Sequence, residues 1–187
     1  MHNHTKQIEI LKDQVLNCTK CPLHKNRTNA VFGEGPYNAP VFLIGEAPGA
    51  KEDQAGKPFV GRAGKLLDEL LNQYGLSRHE NVFIANMVKC RPPKNRIPGK
   101  KELDACFPYL EKQIALINPR ILVLLGSTAL KWFYGSNEKI TELRGRWMKE
   151  KNRLIMPTYH PAAVFRNPAY KTFIEKDIKT ISEQYQK

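Results

Sequence analysis

Apolar residues along this chain recur in two rhythms, and the alternation between them carries the fold. Ile8, Leu11, Val15 and Cys18 lie three or four apart, which predicts an amphipathic helix over residues 4–17 that runs into a pair of cysteines. A short apolar run, Pro40 to Ile44, stops at Gly45 as a strand buried on both faces would. Leu66, Leu67, Leu70, Leu71 and Tyr74 return to helical spacing, with Gly75 where a C-terminal cap is expected. Residues 81–87 are again β-branched and aromatic. Leu103, Phe107, Leu110, Ile114 and Ile117 then share one helical face. Ile121 to Leu125 is the plainest strand, and Gly126-Ser127-Thr128 opens a helix reaching Tyr134. Leu154 to Met156 gives a fourth strand, and Phe173, Ile174, Ile178 and Ile181 mark a closing helix.

Strands alternating with helices predict an α/β fold, a three-layer α/β/α sandwich around a central four-stranded parallel sheet. No repeat, low-complexity segment or linker divides the chain, so residues 1–187 are expected to form a single domain. Ligands of such open sheets bind outside the carboxyl ends of the strands. Those ends bring forward Glu46, then Asn86, then Ser127 and Thr128, then His160: a carboxylate, an amide, a helix start and an imidazole on one edge.

Charge narrows the partners. Thirty Lys and Arg against eighteen Asp and Glu leave +12 at pH 7, which favours a polyanion. Lys89, Arg91, Lys94, Arg96, Lys100 and Lys101 crowd one stretch with no acid among them, and Pro92, Pro93 and Pro98 deny it a helix. That pattern gives a basic loop, either a phosphate-binding surface or a solvated charge run, and excludes an amphipathic membrane helix. The longest apolar run is too short to span a bilayer, and the N-terminus lacks the apolar core of a signal peptide. A cytoplasmic, reducing location is therefore expected, where the four cysteines serve as metal ligands, catalytic groups or core fillers sooner than as disulfides.

Cys18 and Cys21 form a C-x2-C pair, with Cys90 and Cys106 far downstream. Cys18 and Cys106 continue apolar helical stripes and could be core residues. Cys21 and Cys90 sit among prolines and charges, which favours a metal site. Four thiolates suit tetrahedral zinc or an iron–sulfur cluster, and spacing does not choose between them. The glycines mislead: Gly56-x4-Gly61-Arg62 lacks the Lys-Ser/Thr of a phosphate-binding loop, and Gly45-x3-Gly49 lacks the tight G-x-G of a dinucleotide site. Nucleoside triphosphate and NAD enzymes are thereby disfavoured. Asn86 can both donate and accept, as reading the edge of a nucleobase requires, and His160 can donate to an oxygen gaining charge.

Three long strings make a resemblance specific: GEAPGAKEDQAGKPFVGRAGKLLDELL (residues 45–71), NMVKCRPPKNRIP (86–98) and HPAAVFRNP (160–168). With the cysteine pattern, they closely resemble family-4 uracil-DNA glycosylases from Cys18 to Pro168. The resemblance implies a 4Fe–4S cluster on Cys18, Cys21, Cys90 and Cys106. It also implies removal of uracil from DNA; the partners expected are single- or double-stranded uracil-containing DNA and downstream abasic-site repair enzymes, with the chain acting as a monomer. By the same likeness Glu46 positions or activates water and His160 stabilises charge on uracil O2. Ala47, Glu52, Phe59 and Asn86 would form the base pocket, with Phe59 stacked on uracil and Glu52 against C5. Ser127, Val164, Phe165 and Arg166 would meet DNA, the segment after His160 acting as a wedge. A neighbouring branch bonds covalently to the abasic sugar through the His of a KRRIH loop. Pro98 stands at that position here, which implies turnover. Two other classes share part of the pattern: a metal-clipped DNA-binding protein without activity, and an enzyme acting on free nucleosides.

Overall fold

A strand covered on both faces has no polar side, and three strands of this chain are buried at every position: β1 (Val41–Gly45), β2 (Val82–Asn86) and β3 (Ile121–Leu125). The computed structural model, which describes residues 2–150 and 152–187, adds β4 (Met148–Glu150) and β5 (Arg153–Thr158). The five form one sheet in the order β2-β1-β3-β5-β4. Side chains alternate along each strand, and the alternation splits the core in two. Phe42 and Ile44 face α1 (His2–Leu16) and α4 (Lys100–Ile117), packing with Ile8, Leu11, Val15, Leu110 and Ile114. Val41 and Leu43 face α3 (Arg62–Gln73) and α7 (Tyr170–Tyr185), packing with Leu67, Leu70, Leu71, Ile174 and Ile178. The α/β/α sandwich stands as expected.

The strand count differs. The apolar pattern predicts four parallel strands; a fifth, β4, runs antiparallel to β5 with Lys149 opposite Leu154. At three residues, charged and partly exposed, it carries no apolar run to announce it. The short helix α2 (Ala50–Ala55) is equally unannounced, since its alanines and charges bury only Asp53. Two further helices, α5 (Ser127–Tyr134) and α6 (Ile140–Leu143), follow β3. No helix among the described residues is long and apolar enough to cross a membrane.

Register sets the functional edge. Gly45 lies opposite Asn86 and Leu125 opposite Thr158, so the four parallel strands leave the sheet at one level. Main-chain bonds carry the pairing past the strand ends: Met87 N–H donates to Gly45 O at 2.9 Å and Val88 N–H to Glu46 O at 3.2 Å. Asp177 of α7, 1% exposed, accepts the Thr158 hydroxyl at 2.6 Å and the Arg144 guanidinium, tying the end of β5 to that helix.

Candidate active site

The strand ends enclose a cavity of about 200 Å³. Glu46, Ala47, Glu52, Phe59, Asn86 and His160 all line it, as do Pro92, Asn95 and Arg96. Asn86 is 2% exposed, and its side-chain Oδ1 is buried without a hydrogen-bond partner. An orphaned acceptor of this kind costs about 1–3 kcal/mol unless something supplies a donor. Gly45 makes room for it: a Cβ there would lie 2.4 Å from Asn86 Oδ1 and 2.7 Å from Phe59 Cζ.

Phe59 holds a left-handed backbone, φ +52°, which a bulky residue adopts only under constraint. The constraint is Arg78, 6% exposed, whose guanidinium donates to Pro58 O at 2.7 Å and Phe59 O at 3.0 Å. Glu34 and Asp68 balance its charge at 3.0 and 2.8 Å. Burial opposes ionisation of both carboxylates, but cationic partners hold Glu34 below its usual range while Asp68 remains above it. Gly64 admits the chain: a Cβ would stand 1.7 Å from Phe59 O. The Phe59 ring stacks on His160 with centroids 5.4 Å apart.

His160 accepts the Ala162 N–H at Nδ1, 3.1 Å away, so the proton of a neutral ring belongs on Nε2. Burial and the Arg166 cation push its pKa down to about 4, with Glu52 opposing. The ring is thus a neutral donor at pH 7. Glu46 receives the Thr128 hydroxyl, which aims its carboxylate from the first turn of α5. Glu52 is committed to the main chain: it accepts from Gly49 N at 3.2 Å, Val60 N at 2.9 Å and Gly61 N at 2.7 Å. It therefore forms a fixed wall.

Outside the cavity, Ser127 is exposed at the start of α5. Phe165, 46% exposed, stacks under the Arg62 guanidinium at 4.4 Å, and Arg166 is exposed beside it. Val164 is half-buried against the α3 and α7 side of the core, so less of the expected wedge is free than the sequence suggests. The basic loop also changes on folding. Lys89 is buried, not a surface cation, and burial lowers its pKa to about 8. Arg96 is paired in two-pronged fashion with Glu102 at 2.8 and 2.6 Å, and Lys100 with Asp104. Lys94 and Lys101 remain exposed, and Pro98 is buried.

The cysteines converge on the far side of that loop. All four line one pocket with Val15, Val88 and Tyr109, and all four are free thiols. N–H groups approach three of the sulfurs: Lys20 N at 3.5 Å from Cys18 Sγ, Arg27 Nη1 at 3.1 Å from Cys90 Sγ, and Lys89 N at 3.3 Å from Cys106 Sγ. Burial raises the thiol pKa values of Cys21 and Cys90, and that of Cys106 to about 11. Among the described residues, no group of three or more His, Cys, Asp or Glu is arranged to hold a single metal ion.

The family model described as the uracil DNA glycosylase superfamily matches residues 32–181. The chain belongs to the uracil DNA glycosylase superfamily. Among curated relatives, the type-4 uracil-DNA glycosylase of Sulfurisphaera tokodaii is 48% identical over 185 residues, covering 94% of this chain and 84% of that one. The corresponding protein of Thermotoga maritima is 47% identical over 171 residues, covering 89% and 88%. That of Pyrobaculum aerophilum is 46% identical over 179 residues, covering 91% of each.

Within this superfamily chain, the six expected cavity residues do meet, and the four cysteines meet apart from them. Sequence reasoning missed three contacts to the cavity residues: Arg78 to Phe59 O, the Thr128 hydroxyl to Glu46, and Lys89 to Asn86 O. Thr128 lay at a strand end already singled out and could have been paired with Glu46. Arg78 carried no signal, because a lone basic residue reads as solvated until its burial is seen, and Lys89 was read as one cation of the basic loop for the same reason.

Proposed function

We propose that this chain removes uracil from DNA by hydrolysing the N-glycosidic bond, as one domain and as a monomer in the cytoplasm. The observation that supports this most is the orphaned Oδ1 of Asn86, a residue that lines a base-sized cavity at the sheet edge. Uracil N3–H is the donor that atom lacks, and the same amide presents N–H groups to O4. Cytosine offers no N3–H and an amine in place of O4, so the amide discriminates between them.

The target nucleotide must leave the helix, which costs a few kcal/mol of unstacking. Phe165 is the exposed apolar group for the vacated space, with Arg166 and Ser127 placed for phosphates. Phe59 stacks on the extruded base, Ala47 lines its pocket and Glu52 blocks a methyl at C5. As the bond lengthens, positive charge grows on the sugar and negative charge on uracil O2. Neutral His160 donates Nε2–H to that oxygen, and Glu46, aimed by Thr128, orients the attacking water. The product is an abasic site for a separate repair enzyme. Proline at position 98 leaves no imidazole there to bond with the sugar.

Cys18, Cys21, Cys90 and Cys106 would hold a 4Fe–4S cluster. Support comes from the donor set: four thiols around one pocket, with N–H groups at three sulfurs whose hydrogen bonds thiolate ligands can accept. When bound, the cluster supplies a clip joining the end of α1, the loop after β2 and α4. Burial alone favours the neutral thiols, so holding the cluster would require the metal to displace their protons.

The test is alkali-revealed cleavage of a labelled oligonucleotide carrying one uracil, using anaerobically purified protein. Cleavage at uracil with intact thymine and cytosine controls is expected. Binding to that DNA without base release would reject the enzyme reading.

A further inference from the structure

Lys89 is a charged side chain deep in the interior, 2% exposed, and no ion pair among the described residues involves it. Its ammonium donates to two neutral oxygens instead, Asn86 main-chain O at 2.8 Å and Gln113 Oε1 at 2.6 Å. A buried cation is costly unless it is well hydrogen-bonded, so contacts of this kind require a reason.

The reason lies at the sheet edge. β2 is an outer strand, and alternate residues turn their main-chain groups away from β1. At Ile84 those groups are met by Glu34, N to O at 2.8 and 2.9 Å. Two residues on, the Asn86 carbonyl has the same outward direction, and Lys89 meets it. Gln113 of α4, 1% exposed, completes the brace by donating to Phe32 O at 2.8 Å. The Asn86 side chain itself has no hydrogen bond among the described residues that would fix its amide. Its direction follows from its main chain and from packing against Gly45 and Phe59. Lys89 also touches the other site: its own N–H donates to Cys106 Sγ at 3.3 Å, and Cys90 is the next residue.

We propose that Lys89 is a positioning residue for base recognition, bracing the main chain of Asn86 and joining the base pocket to the cysteine centre. This rests on the reading of Asn86 as the uracil-recognising residue. It gives the cysteine centre a bearing on specificity through contacts in the protein alone.

The experiment is single-turnover excision from a uracil oligonucleotide by Lys89→Met, with iron content and melting temperature recorded on the same preparation. The maximal rate is expected to fall about 10- to 100-fold, because sub-ångström to 1 Å misplacement of a recognition group has that effect. The half-saturating enzyme concentration should stay within about twofold, since phosphate contacts lie elsewhere. Inhibition by free uracil should weaken with the rate. If Lys89→Met fails to fold or to retain iron, Gln113→Leu serves, leaving the ammonium and the Cys106 contact in place. Its expected loss is about 3- to 10-fold, again in maximal rate. Wild-type maximal rates in the variant tested, or a loss confined to DNA half-saturation, overturn the proposal. Asn86→Ala, run in parallel, separates the two assignments. Full activity there overturns both, whereas an inactive Asn86→Ala beside a fully active Lys89 or Gln113 variant overturns only the bracing role.

Discussion

Asn86→Leu should make this protein more stable and nearly inactive. In the free protein the amide Oδ1 is buried with no partner, a cost of about 1–3 kcal/mol that leucine removes while keeping similar volume. Its methyl groups would meet Gly45 and the ring of Phe59, so apolar contact replaces an unmet acceptor. A gain of about 1 kcal/mol corresponds to a rise of about 2–4 °C in melting temperature for a chain of this size. Uracil, in contrast, loses two hydrogen bonds of about 1 kcal/mol each and keeps N3–H and O4 unpaired, for roughly 3–4 kcal/mol in all. At 1.36 kcal/mol per decade the excision rate should fall about 10²- to 10³-fold. Thermal melting and single-turnover excision on one preparation measure both. A variant that loses stability and activity together would make Asn86 a structural residue, and one that excises uracil within a few fold of wild type would end its role in recognition.

Gly64→Ala carries another reversed sign: glycine to alanine inside a helix normally stabilises by about 0.5–1 kcal/mol. Here the Cβ would lie 1.7 Å from Phe59 O, so both a lower melting temperature and a loss of excision are expected, read by melting and by the oligonucleotide assay. The pKa of His160, down at about 4, makes the ring neutral across the physiological range. Its contribution to stability is full above about pH 6.5 and is lost as pH falls toward about 4, because the unfolded chain takes up the proton first. Excision should show no acid limb with an apparent pKa near 6.5, as a pH–rate profile checks. Cys106→Ala should lose most of its iron and melt several degrees lower, measured by iron assay and thermal unfolding, if the cysteines form a structural clip.

Much of the fold was legible because β1, β2 and β3 are nearly pure apolar runs between helical stripes, and burial on both faces leaves that signature. Met148-Lys149-Glu150 was not, since an edge strand pairs through its main chain and needs no apolar side chains. The cavity residues were legible because a parallel sheet delivers its strand ends to one level. What the chain order hides is which charges turn inward. Lys89 and Arg96 sit in the same basic stretch, yet one braces a strand end and the other is held by Glu102. Arg78 lies 19 residues from the main-chain carbonyl of Phe59 that it holds, a separation no local pattern reports. The segment after His160 hides its burial in a similar way: Phe165 is exposed, whereas Val164 finds apolar neighbours on the α3 and α7 side of the core.

The most direct test of the central claim is a mass balance: free uracil and abasic sites counted against protein, over time, with a uracil-containing duplex in excess. One uracil per abasic site, continuing well past one per chain and with no protein joined to the DNA, is the expected result. No free uracil, or release that stops at one per chain with a protein–DNA adduct, would contradict a hydrolytic, turning-over glycosylase built on Glu46, Asn86 and His160.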